Sequence, residues 1–209
     1  MKRSVLVFTI LVLILPHAVL AQADWQTYTT IDDILTFSYP AEWELYIDPE
    51  EGSISLYNDP TINPEEDNGI LDTTLESGQF IVSIAYSSEA QNELDEFFGP
   101  GLEEQPVEFV SGYMFGFISF AAVISAAFSG NEDAKPPAIT SFETREFAGL
   151  EAGTVRFSFV DEIDSLMIIM LNVESGAFVF VTASAPIGEL DEYMDTINEF
   201  LNSIEINLE

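Results

Sequence analysis

Between Val155 and the C-terminus the apolar period of the sequence changes once, from two to between three and four, and this limits the fold more than any other feature. Val155, Phe157 and Phe159 alternate with Arg156 and Ser158, the pattern of a half-buried strand. Residues 166–171 are continuously apolar, as in a strand covered on both faces. Glu174-Ser175-Gly176 then turns the chain into residues 177–183, so the three segments read as an antiparallel meander. After it, Ile187, Leu190, Tyr193, Met194, Ile197, Phe200, Leu201 and Ile204 recur at steps of three and four, which places them on one face of a helix. Pro186 suits the start of that helix, and Glu189, Asp191 and Glu192 oppose the positive end of its dipole.

The N-terminal half carries shorter signals. Residues 25–30 and 34–39 read as a hairpin around Asp32-Asp33 that ends at Pro40, which cannot continue a ladder. A short strand follows at 53–57, bounded by Gly52 and by Asn58-Asp59-Pro60. Phe80, Val82, Ile84 and Tyr86 share one face of a strand with apolar residues opposite, so that strand is expected to be central. Ser88-Glu89-Ala90-Gln91 has capping-box spacing and predicts a helix to about Phe98. Residues 58–69 and 131–140 read as polar loops. Together these elements predict an α+β class: a mostly antiparallel central sheet sandwiched by helices.

The first residues are a separate matter. Lys2 and Arg3, the apolar run 5–15 and the small-residue ending at Ala21-Gln22-Ala23 give the basic, apolar and A-x-A regions of a cleavable secretory signal peptide in order. The run is shorter than the roughly 20 residues a bilayer crossing needs. With Ala21 and Ala23 as the cleavage signature, residues 1–23 form the signal and 24–209 one domain, and the protein is expected to act outside the cytoplasm. A cut after Ala21 would shift the start by two residues. Removing Lys2 and Arg3 leaves three basic residues against 37 acidic ones and takes the formal charge from −32 to −34. Such a surface repels nucleic acid and anionic lipid and attracts basic or cationic partners. With 47% apolar residues the chain still has the material for a packed core.

The stretch 109–128 has 20 residues and no charge, with Gly112 and Gly116 spaced for close helix packing. Its length meets the requirement for a membrane span. Its flanks do not: Glu103, Glu104 and Glu108 precede it, Glu132 and Asp133 follow, and Lys135 is the single base nearby. A buried helix with its Ser and Gly positions as close contacts is the preferred reading, and a membrane tether through 109–128 is the alternative.

The residue inventory removes several chemistries. His17 is the single histidine, it lies in the signal, and the chain has no cysteine, so the Ser-His-Asp and Cys-His arrangements and the common zinc and haem sites cannot be completed after cleavage. No Gly-rich phosphate loop is present. Carboxylates remain, and two at suitable separation could hydrolyse a glycoside; a carboxylate hydrolase is therefore a second alternative. As cation ligands, Glu65-Glu66-Asp67-Asn68-Gly69 fails the EF-hand spacing, and Asp161-Glu162-Ile163-Asp164 falls in an expected turn. No catalytic residue, metal ligand or cofactor is assigned.

Phe37-Ser38-Tyr39-Pro40 followed by Trp43 gives F-x-Y-P-x-x-W at the end of an early strand. With the closing strands and the final helix, it resembles the PsbP-like proteins, which include an extrinsic subunit of photosystem II and bacterial exported proteins. The resemblance implies an antiparallel sheet sandwiched by helices and a non-enzymatic binding or assembly role. Histidines proposed to bind metal in some members have no counterparts here. Phe37, Tyr39 and Trp43 are expected to pack under the sheet where the chain turns at Pro40. The functional expectation is an exported, non-catalytic protein that recognises a protein or cationic partner.

Overall fold

A computed structural model of the chain describes residues 24–48, 53–62, 75–87, 111–112, 115–116, 137–159, 163–172 and 177–207. The predicted helix at 88–98, the acidic stretch 65–69, the signal residues Ala21 and Ala23, and most of 109–128 lie outside them.

The opening hairpin forms as its alternation requires. Strand β1 (Trp25–Thr29) pairs antiparallel with β2 (Leu35–Pro40), Tyr28 opposite Phe37. Next come β3 (Glu44–Ile47), β4 (Ile54–Tyr57) and β5 (Ile81–Ser87). The second half supplies β6 (Ala138–Phe147), β7 (Leu150–Phe159), β8 (Ile163–Asn172) and β9 (Ala177–Pro186), then helix α1 (Leu190–Asn202) and the short β10 (Glu205–Ile206). Seven strands make one antiparallel sheet in the order β3-β4-β5-β9-β8-β7-β6, and β1-β2-β10 make a second.

This corrects the expected fold class. The described chain is mostly antiparallel strand in two sheets with one complete helix, not a single sheet sandwiched by helices. The cause lies in the two ends of the chain. β10 follows α1 and pairs back onto β2, Glu205 opposite Thr36 and Ile206 opposite Leu35, so the opening hairpin becomes a separate small sheet. That sheet and α1 together cover one face of the large sheet, a role the sequence reading gave to helices alone. Leu35, Phe37 and Tyr39 of β2 join Ile197, Phe200 and Leu201 of α1 and Val179, Val181 and Ala183 of β9 in one core cluster. The alternation of β2 puts its apolar set on this side and leaves Thr36 and Ser38 outward.

Strands β5, β7, β8 and β9 stand where their patterns predict. Ile168 and Met170 are buried on the face of α1, and Met167 and Ile169 are buried on the other, so β8 is covered on both sides. On that second face Ser111 and Phe115 are helical, one turn apart and buried, with the Phe115 ring 5.1 Å from that of Phe157. Gly112 and Gly116 are exposed, and among the described residues nothing lies within 4 Å of where their Cβ atoms would be. Of this segment, Phe115 meets the sheet at Phe157, and among the described residues Gly112 and Gly116 make no close contact. No helix among the described residues is long and apolar enough to cross a membrane.

Three further differences concern boundaries. Residues 138–140, read as loop, begin β6. β3, β10 and the rest of β6 were not foreseen. Pro186 ends β9 instead of starting the helix, and Gly188 at φ +82° makes the intervening turn, so Ile187 stands 49% exposed.

Candidate interaction surface

Two polar networks close on the start of α1, a third holds the β1–β2 turn, and among the described residues one edge of the large sheet is open. The first network pins the turn before α1. Asp164, on β8, accepts hydrogen bonds from the Ser158 hydroxyl and, at 2.8 Å, from the Gly188 N–H. Arg156, on the neighbouring β7, reaches Asp191 in the first turn of α1 at 2.6 Å and Asp164 at 3.9 Å. Asp164 is thus an internal acceptor, not an outward cation ligand, and among the described residues no cluster of carboxylates is arranged to hold a metal ion.

The second network ties the loop before β5 to the same helix end. The Glu189 carboxylate accepts the Gly78 N–H at 2.8 Å and the Ser77 hydroxyl at 2.7 Å. Those bonds hold its pKa below the usual carboxylate range. The Tyr193 hydroxyl donates to the Gly78 carbonyl, and its ring stacks on Phe80 with centroids 4.3 Å apart. Asp32, in the turn of the β1–β2 hairpin, is also lowered. Partial burial works against its ionisation, but donors from Thr30, Ile34 and Tyr86 outweigh that.

A group whose folded pKa lies below its unfolded value stabilises the fold above the unfolded pKa and stops doing so as pH falls through the folded one. The expected result is that Glu189→Gln melts below the wild type at pH 6, and that the gap narrows below about pH 4.5 and closes on further acidification. A gap independent of pH would show that the charge of Glu189 does not act on stability.

The sequence-selected residues Phe37, Tyr39, Pro40 and Trp43 are all buried. Phe37 meets Tyr28, Tyr39 and Phe200, and Trp43 meets Phe80. These aromatic residues therefore pack into the core between the two sheets.

The open feature is strand β6 at the end of the large sheet. All its residues but Ser141 and Phe147 are exposed. Ile139 and Phe142 share the second face, 57% and 41% exposed. Glu143 pairs with Arg145 at 2.7 Å, and Glu146 lies opposite Glu151 of β7 with both exposed. Nothing in the sequence reading singled this strand out, although Ile139, Thr140, Phe142 and Thr144 carry the β-branched and aromatic character of a strand.

No family model and no curated protein matches the chain. Among solved structures it is similar to cyanobacterial PsbP (CyanoP) from Synechocystis at a TM-score of 0.51 and 13% identity, over 90% of this chain and 95% of that one. It is also similar to LpqN of Mycobacterium tuberculosis, involved in cell envelope biogenesis, at 0.45 and 11%, over 88% and 91%. The Saccharomyces cerevisiae Ran-binding protein Mog1p matches at 0.43 and 7%, over 88% and 96%. The first likeness is one of fold: the chain has a PsbP-like fold.

Proposed function

We propose that this chain is an exported, non-catalytic binding or assembly domain whose partner is a basic protein. The observation that carries the reading is the lack of compensation on its surface. Both arginines among the described residues, Arg145 and Arg156, are already engaged with the chain's own carboxylates, against 37 acids in the whole sequence. Uncompensated acid of this extent favours association with a positively charged surface and makes that association salt-dependent. The networks at the N-terminal end of α1 support the same reading, because their carboxylates are taken up by the chain's own amides, hydroxyls and Arg156. The PsbP-like fold is compatible with an assembly role, and the function itself rests on the surface.

Capture from the native envelope at low and high salt tests the proposal. The expected result is a basic protein retained at low salt and released at high salt; no retention at either salt would contradict it. Export has its own check. N-terminal sequencing of the protein from the producing cell is expected to begin at Asp24, or at Gln22 for the earlier cut. β1 starts at Trp25, so either cut spares the hairpin. An intact Met1 would refute export through a cleaved signal.

A further inference from the structure

We propose, resting on the reading that the partner is a basic protein, that one of its extended segments adds to the large sheet as a further strand along β6. This strand has ten residues and forms the end of the sheet, and among the described residues no strand pairs with its outer side. Which backbone groups are free follows from the β6–β7 hairpin. Its loop is the two-residue turn Ala148-Gly149, with φ of 51° and 79°, flanked by Phe147 opposite Leu150. Positive φ at both positions makes this the turn type whose flanking pair exchanges both hydrogen bonds. Stepping back by twos, Arg145 and Glu143 direct their backbone groups at β7, and the Glu143 carbonyl also accepts the Thr154 hydroxyl at 3.0 Å. The N–H and C=O groups of Phe142, Thr144 and Glu146 therefore point away from the sheet, as a ready template for another chain.

The charges select the occupant. Glu146 and Glu151 stand directly opposite each other on one face, an arrangement that costs stability. A lysine or arginine entering beside Glu146 relieves it, and an apolar neighbour covers Phe142. The usual protections of an edge are weak here. β6 contains no proline, and its single base, Arg145, is neutralised by Glu143. The bulge between Ile139 and Ser141 confines regular pairing to the part of β6 nearest the turn. A second copy of the mature chain would bring a formal charge of −34 against −34 once Lys2 and Arg3 are removed, so a basic segment of another protein fits this edge and a self-dimer does not.

The test uses the full mature chain, isotope-labelled, titrated with a synthetic extended peptide that carries a lysine and a valine four residues apart, the spacing that sets them beside Glu146 and Phe142 on one face, and with its glutamate-for-lysine counterpart. The lysine peptide is expected to bind at low salt and to slow amide exchange at Phe142, Thr144 and Glu146, and the glutamate peptide is expected not to bind. Thr144→Pro removes an outward N–H that β7 does not use, so melting is expected to be preserved while affinity falls by about ten-fold or more. Glu146→Lys retains every backbone group and is expected to weaken the lysine peptide and admit the glutamate peptide. Unchanged affinity in both variants, exchange effects elsewhere, or a self-dimer through β6 would overturn strand addition and leave the basic-partner reading standing. Failure of the lysine peptide to bind also overturns strand addition. If the envelope capture fails as well, the functional reading falls with it.

Discussion

Phe37→Ala is expected to lower the free energy of unfolding by about 3–5 kcal/mol, a large part of the roughly 5–15 kcal/mol that holds a domain folded. Phe37 is fully buried and lies 5.6 Å from Tyr28, 6.0 Å from Tyr39 and 5.6 Å from Phe200 by ring centroids. Truncation would leave a cavity between the small sheet and α1, where neither side can collapse without breaking the β2–β10 pairing. Urea denaturation followed by circular dichroism measures it. Ile31→Ala is the control: Ile31 is wholly exposed at the hairpin tip, and its loss should stay within about 0.5 kcal/mol. Because Phe37 and Phe200 touch, the double alanine variant should be non-additive by about 0.5 kcal/mol or more. A cost below about 1 kcal/mol for Phe37→Ala would mean that the two sheets do not share one core.

Asp164→Ala is expected to cost about 2–3 kcal/mol, more than a surface carboxylate should. Its side chain is 13% exposed and serves the Ser158 hydroxyl, the Gly188 N–H and the more distant Arg156. Removing it leaves the Arg156 charge with Asp191 alone and frees the Gly188 turn that aims α1 at the sheet. Asp191→Asn provides the comparison. Asp191 is 72% exposed although its bond to Arg156 is short, so its loss should cost less than about 1 kcal/mol. Equal effects of the two substitutions would show that the network acts through surface charge and not by fixing the turn.

Much of the fold was legible where one face of an element is buried. Phe80, Val82, Ile84 and Tyr86 predicted β5, the continuous run around Ile168 predicted a doubly covered β8, and the steps from Leu190 to Leu201 predicted α1. Each signal exists because burial imposes a period on the sequence. β6 escaped because it is exposed on both faces, so no core selects alternating residues and Lys135-Pro136-Pro137 beside it reads as loop. β10 is too short to carry a period. Its pairing with β2 is a contact between the two ends of the domain that local pattern does not encode, and that contact decides between two sheets and one. The candidate edge was hidden for the same reason as β6: a strand that keeps a side open for a partner lacks the marks of a buried strand. The aromatic motif was legible as core because Phe37 and Tyr39 alternate with Ser38 before the turn at Pro40.

The central claim is that an acidic, exported domain meets a basic protein partner at the β6 edge. A photo-crosslinking amino acid at position 142, compared with the same group at position 31 in the producing cell, tests it most directly. Both sites are exposed, one on the edge strand and one at the hairpin tip. The account predicts a discrete adduct with a basic protein from position 142, none from position 31, and its loss when Glu146→Lys is added. Equal adducts from both positions, or an adduct from 142 that survives Glu146→Lys, would contradict it.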